Sequence, residues 1–66
     1  GETTAAITAN GDLYCWGDNT YGTGGIGPSV RYQETPVKVL SDVRSIFIRG
    51  GTSYAILDNG DLYAWG

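Results

Sequence analysis

The residues with reactive side chains are few. Cys15 is the one thiol in a 66-residue chain without histidine. A cysteine nucleophile needs a base to draw off its proton, so Cys15 has no partner for that chemistry. Its repeat counterpart is Ala64, so the position asks for a small buried side chain, and a free cysteine serves as one. One cysteine also excludes an internal disulfide, and without histidine no Cys/His zinc site can be drawn. Asp12 and Asp61 each follow an Asn-Gly pair, at Asn10-Gly11 and Asn59-Gly60, with Asp58 just before the second. An oxygen-rich calcium loop would need more ligands at set spacing. A glycosidase-type pair would need two carboxylates facing one cleft, about 5–10 Å apart. These aspartates are one repeat apart in equivalent positions, so they are read as turn residues. Gly22–Gly27 (GTGGIG) has the glycines of a phosphate cradle but is followed by Pro28-Ser29, with no helical pattern after it. No catalytic residue, cofactor site or metal site is therefore assigned.

The elements that hold these residues repeat. Residues 1–17, GETTAAITANGDLYCWG, align without a gap over residues 50–66, GGTSYAILDNGDLYAWG, at an offset of 49, with eleven of seventeen positions identical. A period near 50 fits one four-stranded β-propeller blade. Asn-Gly between strand-like runs predicts a tight type I′ hairpin in each copy, joining Thr4–Ala9 to Asp12–Trp16 and Ser53–Asp58 to Asp61–Trp65. In the Leu-Tyr-x-Trp strand, Leu13 and Cys15 face one way while Tyr14 and Trp16 face the other.

Residues 17–35 read as a long loop rich in glycine, then Pro36–Leu40 as a short strand with proline first. Val43–Arg49 is the most β-branched run and is expected to be the innermost or best-paired strand. Glycine and proline interrupt every window long enough for a helix. The fold class expected is all-β, with residues 1–17 a hairpin ending one repeat and 18–66 one further repeat.

Trp16-Gly17, Asn19, Gly22, Gly25, Gly27, Pro36, Val39, Val43, Ile46 and Gly50 stand in the order and near the spacing of a known repeat. On these residues the chain resembles the regulator-of-chromosome-condensation family. The resemblance implies a partial propeller of the seven-bladed type and a module that presents loops to another protein. It makes Trp16, Gly17, Asn19, Gly22, Gly25, Gly27, Trp65 and Gly66 structural residues of the repeat. Asn19 is expected to tie the loop through its amide, and the two tryptophans to pack between blades. Thr23-Gly24 stands where the family usually has Gln-Leu, and no residue is assigned to nucleotide exchange, the family's best-known activity.

Partner contact is expected from non-repeating loop residues whose side-chain types anchor interfaces: Tyr21, Arg31, Tyr32, Gln33 and Glu34. The partner is expected to be a protein, or further blades or copies of the chain itself. A self-assembling ring or fibre is the alternative reading. Net charge is −3, and Arg31, Lys38, Arg44 and Arg49 are scattered, which argues against nucleic acid. No apolar run approaches the roughly 20 residues of a membrane helix. A single blade plus a hairpin leaves strand edges unpaired, so a free monomer is expected to be unstable, and a piece of a longer propeller is the first expectation.

Overall fold

The computed structural model describes residues 2–66. Six strands run in order: β1 (Thr3–Ile7), β2 (Leu13–Asp18), β3 (Tyr32–Leu40), β4 (Val43–Arg49), β5 (Thr52–Leu57) and β6 (Leu62–Trp65). They form two antiparallel three-stranded sheets, β1-β2-β3 and β4-β5-β6, and no helix occurs among the described residues. The all-β class holds, and the two sheets are consistent with partial propeller blades.

The repeat is reproduced in the register. Thr4 pairs with Trp16, Ala5 with Cys15, Ala6 with Tyr14 and Ile7 with Leu13. Ser53 pairs with Trp65, Tyr54 with Ala64, Ala55 with Tyr63 and Ile56 with Leu62. Each pair in the second hairpin is a pair of the first shifted by 49 residues. The turns match as well. Thr8 N–H donates to Asp12 O (2.9 Å) and Gly11 N–H to Thr8 O (3.0 Å), while Leu57 and Gly60 repeat both bonds with Asp61 and Leu57 at 2.9 Å. These are three-residue loops, and the type I′ expectation is corrected. Gly11 and Gly60 take φ of 89° and 93°, but Asn10 and Asn59 do not enter positive φ, which type I′ requires at both central residues. Glycine alone carries the left-handed step, where it has no steric cost.

Two strands differ from expectation. β3 starts at Tyr32, so the connection is shorter than residues 17–35 and Pro36 lies inside the strand. β3 is an edge strand, and its register slips where Cys15 opposes Val37 but Gly17 opposes Gln33. That bulge leaves a position for a residue with no N–H to donate. β4, expected to be innermost or best paired, is not the best paired: it is also an edge strand, the place that the innermost strand of a propeller blade holds. It pairs only with β5 and packs a face on the first sheet, while β2 and β5 are the two central strands. Its β-branched side chains serve the contact between sheets: Val43 is buried, and Ile46 packs against the core.

That core is small: Leu13, Cys15, Val43 and Ala55, with Ala5, Ile7, Val39, Leu40, Leu57 and Trp65 around it. Full burial of Leu13 contributes about 1.5–3 kcal/mol. The sheets stack by unlike faces. The Leu13/Cys15 face of the first meets the Ser53/Ala55 face of the second. The crossover between them is fastened at both hairpin tips. Val43 N–H donates to Gly11 O (2.8 Å) and Asp58 N–H to Asp42 O (2.9 Å). Asp42, in the turn between β3 and β4, is the one non-glycine residue at positive φ (58°) among those described.

Candidate functional site

At the end of the strands away from the hairpin tips, the loop after β2 folds over the start of β5. Asn19 organises it. The side chain is buried, and its amide donates to Gly27 O (3.0 Å) and Val30 O (2.6 Å) while its carbonyl accepts from Gly24 N–H (2.8 Å). Its backbone N–H donates to Arg31 O (2.8 Å), closing the loop at its far end. Gly24 is close-fitted: a Cβ there would lie 2.8 Å from Asn19 Oδ1. Gly25, at φ +69°, has Trp65 Nε1 2.9 Å and Val39 Cγ1 3.0 Å from where its Cβ would be.

The loop is also where the sheets are joined by polar bonds. Trp65 Nε1–H (2.8 Å) and Ser53 Oγ–H (2.6 Å) both donate to Thr23 O. Thr23 Oγ1 is bonded in turn to Thr3 Oγ1, which donates to Asp18 O at 2.7 Å. Trp65 thus bridges the sheets. Trp16, at the equivalent position, lies half-buried on the outer face of the first sheet.

Beside this junction opens a cleft of about 390 Å³ lined by Glu2, Thr3, Asp18, Tyr21 and Ile48, with Thr20, Thr23, Gly50 and Gly51 completing the wall. Asp18 accepts from the Thr20 hydroxyl (2.6 Å) and from Thr20 N–H (2.9 Å). Those bonds hold its carboxyl below the usual carboxylate range, because both stabilise the ionised form. The cleft therefore presents negative charge, hydroxyls and one aromatic ring. It suits a cationic or hydrogen-bonding group and holds no nucleophile–base pair. Cys15 is buried between the sheets, away from the cleft, and burial pushes its thiol pKa up. No group of three or more His, Cys, Asp or Glu side chains placed to hold a metal occurs among the described residues.

The five loop residues expected to meet a partner are not one cluster. Tyr21 (76% exposed) lines the cleft. Tyr32 (65% exposed) lies across from Asp18, and the half-buried Gln33 across from Gly17, so these two continue the sheet edge. Arg31 and Glu34 are exposed on either side, with Glu34 inside the bulge of β3. Glu2, Asp18 and Thr20 were not singled out from sequence. Glu2 carried a signal, as a charged residue where the second copy has Gly51.

No curated protein and no solved structure matches the chain. The stretch that enters β1, forms the first hairpin and reaches the Thr23 carbonyl does have a match: residues 1–23 fit the family model of the Regulator of chromosome condensation (RCC1) repeat, the family that the tryptophan-glycine and loop-glycine spacing resembles.

Proposed function

We propose that the chain is part of a protein-interaction module of the propeller type, and that its loop end, not a catalytic centre, is the working surface. The observation that carries this reading is Tyr21, left exposed on a loop whose backbone is fastened by buried Asn19, and Tyr32, left exposed at the start of β3 where that loop ends. Exposed aromatic rings on a rigid support lose little entropy on contact, and Tyr and Arg are the side chains that most often anchor interfaces. The adjoining cleft supports a partner that offers a lysine or arginine side chain. Glu2 and Asp18 supply opposite charge, and the Tyr21 ring supplies a cation–π face. Gln33 and Glu34 would contribute rim contacts along β3.

The test is photo-cross-linking from Tyr21 and Tyr32, followed by affinity measurement with the protein so identified. Tyr32→Ala, Arg31→Ala and Tyr21→Ala should each weaken binding about tenfold or more, with circular dichroism unchanged. Asp58→Ala, at the opposite end of the sheets, should leave binding intact. Unaltered affinity in all three loop variants would refute the reading.

A further inference from the structure

The two hairpins are interchangeable on the surface where the second one docks. The docking face of the β5–β6 hairpin carries Ser53, Ala55, Tyr63 and Trp65. At the same register positions the β1–β2 hairpin carries Thr4, Ala6, Tyr14 and Trp16. Two ring residues and one alanine are identical, and threonine for serine keeps the hydroxyl and adds a methyl. One difference falls on this face, at its hairpin-tip end, where Leu57 packs against the core and the first copy has Thr8; the others fall on the opposite face, at Ala5 against Tyr54 and Cys15 against Ala64. Gly17 and Gly66 correspond too. Both have positive φ, and a Cβ on either would lie 2.5–2.6 Å from a carbonyl oxygen, that of Glu2 or of Gly51.

Only one copy of this face is used within the chain. Ser53 and Ala55 are fully buried, and Trp65 and Ser53 share the Thr23 carbonyl. Thr4 and Ala6 are exposed, the Trp16 indole N–H donates to no residue among those described, and the outer edge of β1 pairs with no strand. β4 takes β5 on the edge that, by the same register, would fit β1.

We propose that this chain self-associates by hairpin exchange: the β1–β2 hairpin of a second copy replaces the β5–β6 hairpin on β4 and on the Thr23 carbonyl. The incoming hairpin brings its own β3, so the exchanged sheet is four strands, β4 of one copy followed by β1, β2 and β3 of the next. Exchange of a closely similar element conserves most of the contacts it replaces, the Leu57 packing excepted, so its cost is that one contact and association itself. The Gly50-Gly51 turn, both glycines at positive φ with open space around them, is the hinge through which the displaced hairpin leaves. This inference is independent of the loop reading above, which concerns a different partner at the Tyr21 and Tyr32 surface.

The experiment follows the mass of the 66-residue chain by light scattering over a dilution series, with Trp65→Phe, Trp16→Phe and the double variant. Phenylalanine keeps the ring and removes the N–H that reaches Thr23. Loss of one hydrogen bond of about 1 kcal/mol shifts the exchange constant about fivefold. Trp65→Phe weakens the internal lock and should raise the association constant fitted to the dilution series by that factor for each hairpin exchanged. Trp16→Phe should lower it by the same factor, and the double variant should return near the starting chain. Chymotrypsin should cut at Leu62 or Tyr63 faster in the oligomer than in the monomer, because the hairpin is displaced. If Trp65→Phe loses its strand signal, the original chain against Trp16→Phe decides. Mass independent of concentration, or both tryptophan variants shifting it in one direction, or an oligomer with a protected hairpin would overturn the proposal.

Discussion

Replacing Asn19 with alanine removes three side-chain hydrogen bonds at once, to Gly27 O, Val30 O and Gly24 N–H. At about 1 kcal/mol net each, the loss is about 3 kcal/mol. A chain of this length has roughly 3–10 kcal/mol of stability in total, so a large part of it rests on one amide. With a denaturant slope near 1 kcal/mol per molar, the urea midpoint should fall by about 3 M, and at the lower end of that range the variant is unfolded in buffer. Asn19→Asp sharpens the test. Aspartate keeps an acceptor for Gly24 N–H but turns an acceptor toward the carbonyls of Gly27 and Val30. It should therefore destabilise at least as much as alanine, although it is nearly the same shape. Tryptophan fluorescence during urea titration reads both, since Trp65 sits against Gly25 of the same loop. A loss below about 1 kcal/mol for alanine, or an aspartate variant markedly more stable than alanine, would refute the account of the loop as amide-tied.

Gly25→Ala should cost more than Gly27→Ala. Both glycines have positive φ, which alone costs about 1 kcal/mol, but only at Gly25 does a methyl meet Trp65 and Val39, while Gly27 faces open space. Equal urea midpoints for the two would show that the Trp65 contact is slack. Because its carboxyl is depressed in the folded state, Asp18 contributes stability that is present above the ordinary carboxylate range and is lost as pH falls through the lowered value. Thr20→Val removes the hydroxyl bond and should flatten that acid limb while raising the Asp18 titration seen by carbon-13 NMR. An unchanged Asp18 titration would contradict the assignment. Cys15, buried with a raised pKa, should react with a thiol reagent only through opening of the sheets, at a rate that climbs with urea. Its contribution to stability is full below the ordinary thiol pKa and declines as pH rises beyond it. Reaction in buffer at the rate of a free thiol would place it outside the core.

How far the sequence carried depends on which residues leave a local mark. The hairpins were legible because Asn-Gly-Asp punctuates two alternating runs and the 49-residue offset doubles the signal. The turn form was not, because Asn-Gly serves both the two-residue loop and the three-residue loop with glycine alone at positive φ. β3 was read too short: Tyr32–Thr35 lacks alternation, and the bulge that admits Pro36 is a property of the pair with β2. The pairing of β4 was not legible, because β-branched residues signal burial without saying whether backbone pairing or face packing supplies it. The cleft was largely invisible. Glu2 and Asp18 meet across β1 and β2, Ile48 comes from the other sheet, and Tyr21 alone among the cleft residues is expected from sequence as a partner contact.

The bonds at Asp42 fix one end of the stacked sheets. Val43 is held to the tip of one hairpin and Asp42 to the tip of the other, while Ser53 and Trp65 hold the opposite end to Thr23 O, so an angular change at the Asp42 end is felt there as strain on those two bonds. From Val43 to Ile48 the lever is five residues, about 17 Å of extended strand, and a rotation of about 5° at the Asp42 end displaces the far end by about 1.5 Å. That far end is the cleft. A small angular fluctuation at a fastened tip becomes a change of mouth width between Tyr21 and Gly50. The bond that Asp42 accepts in left-handed backbone and the two that Thr23 accepts thus hold the aperture from opposite ends of the molecule.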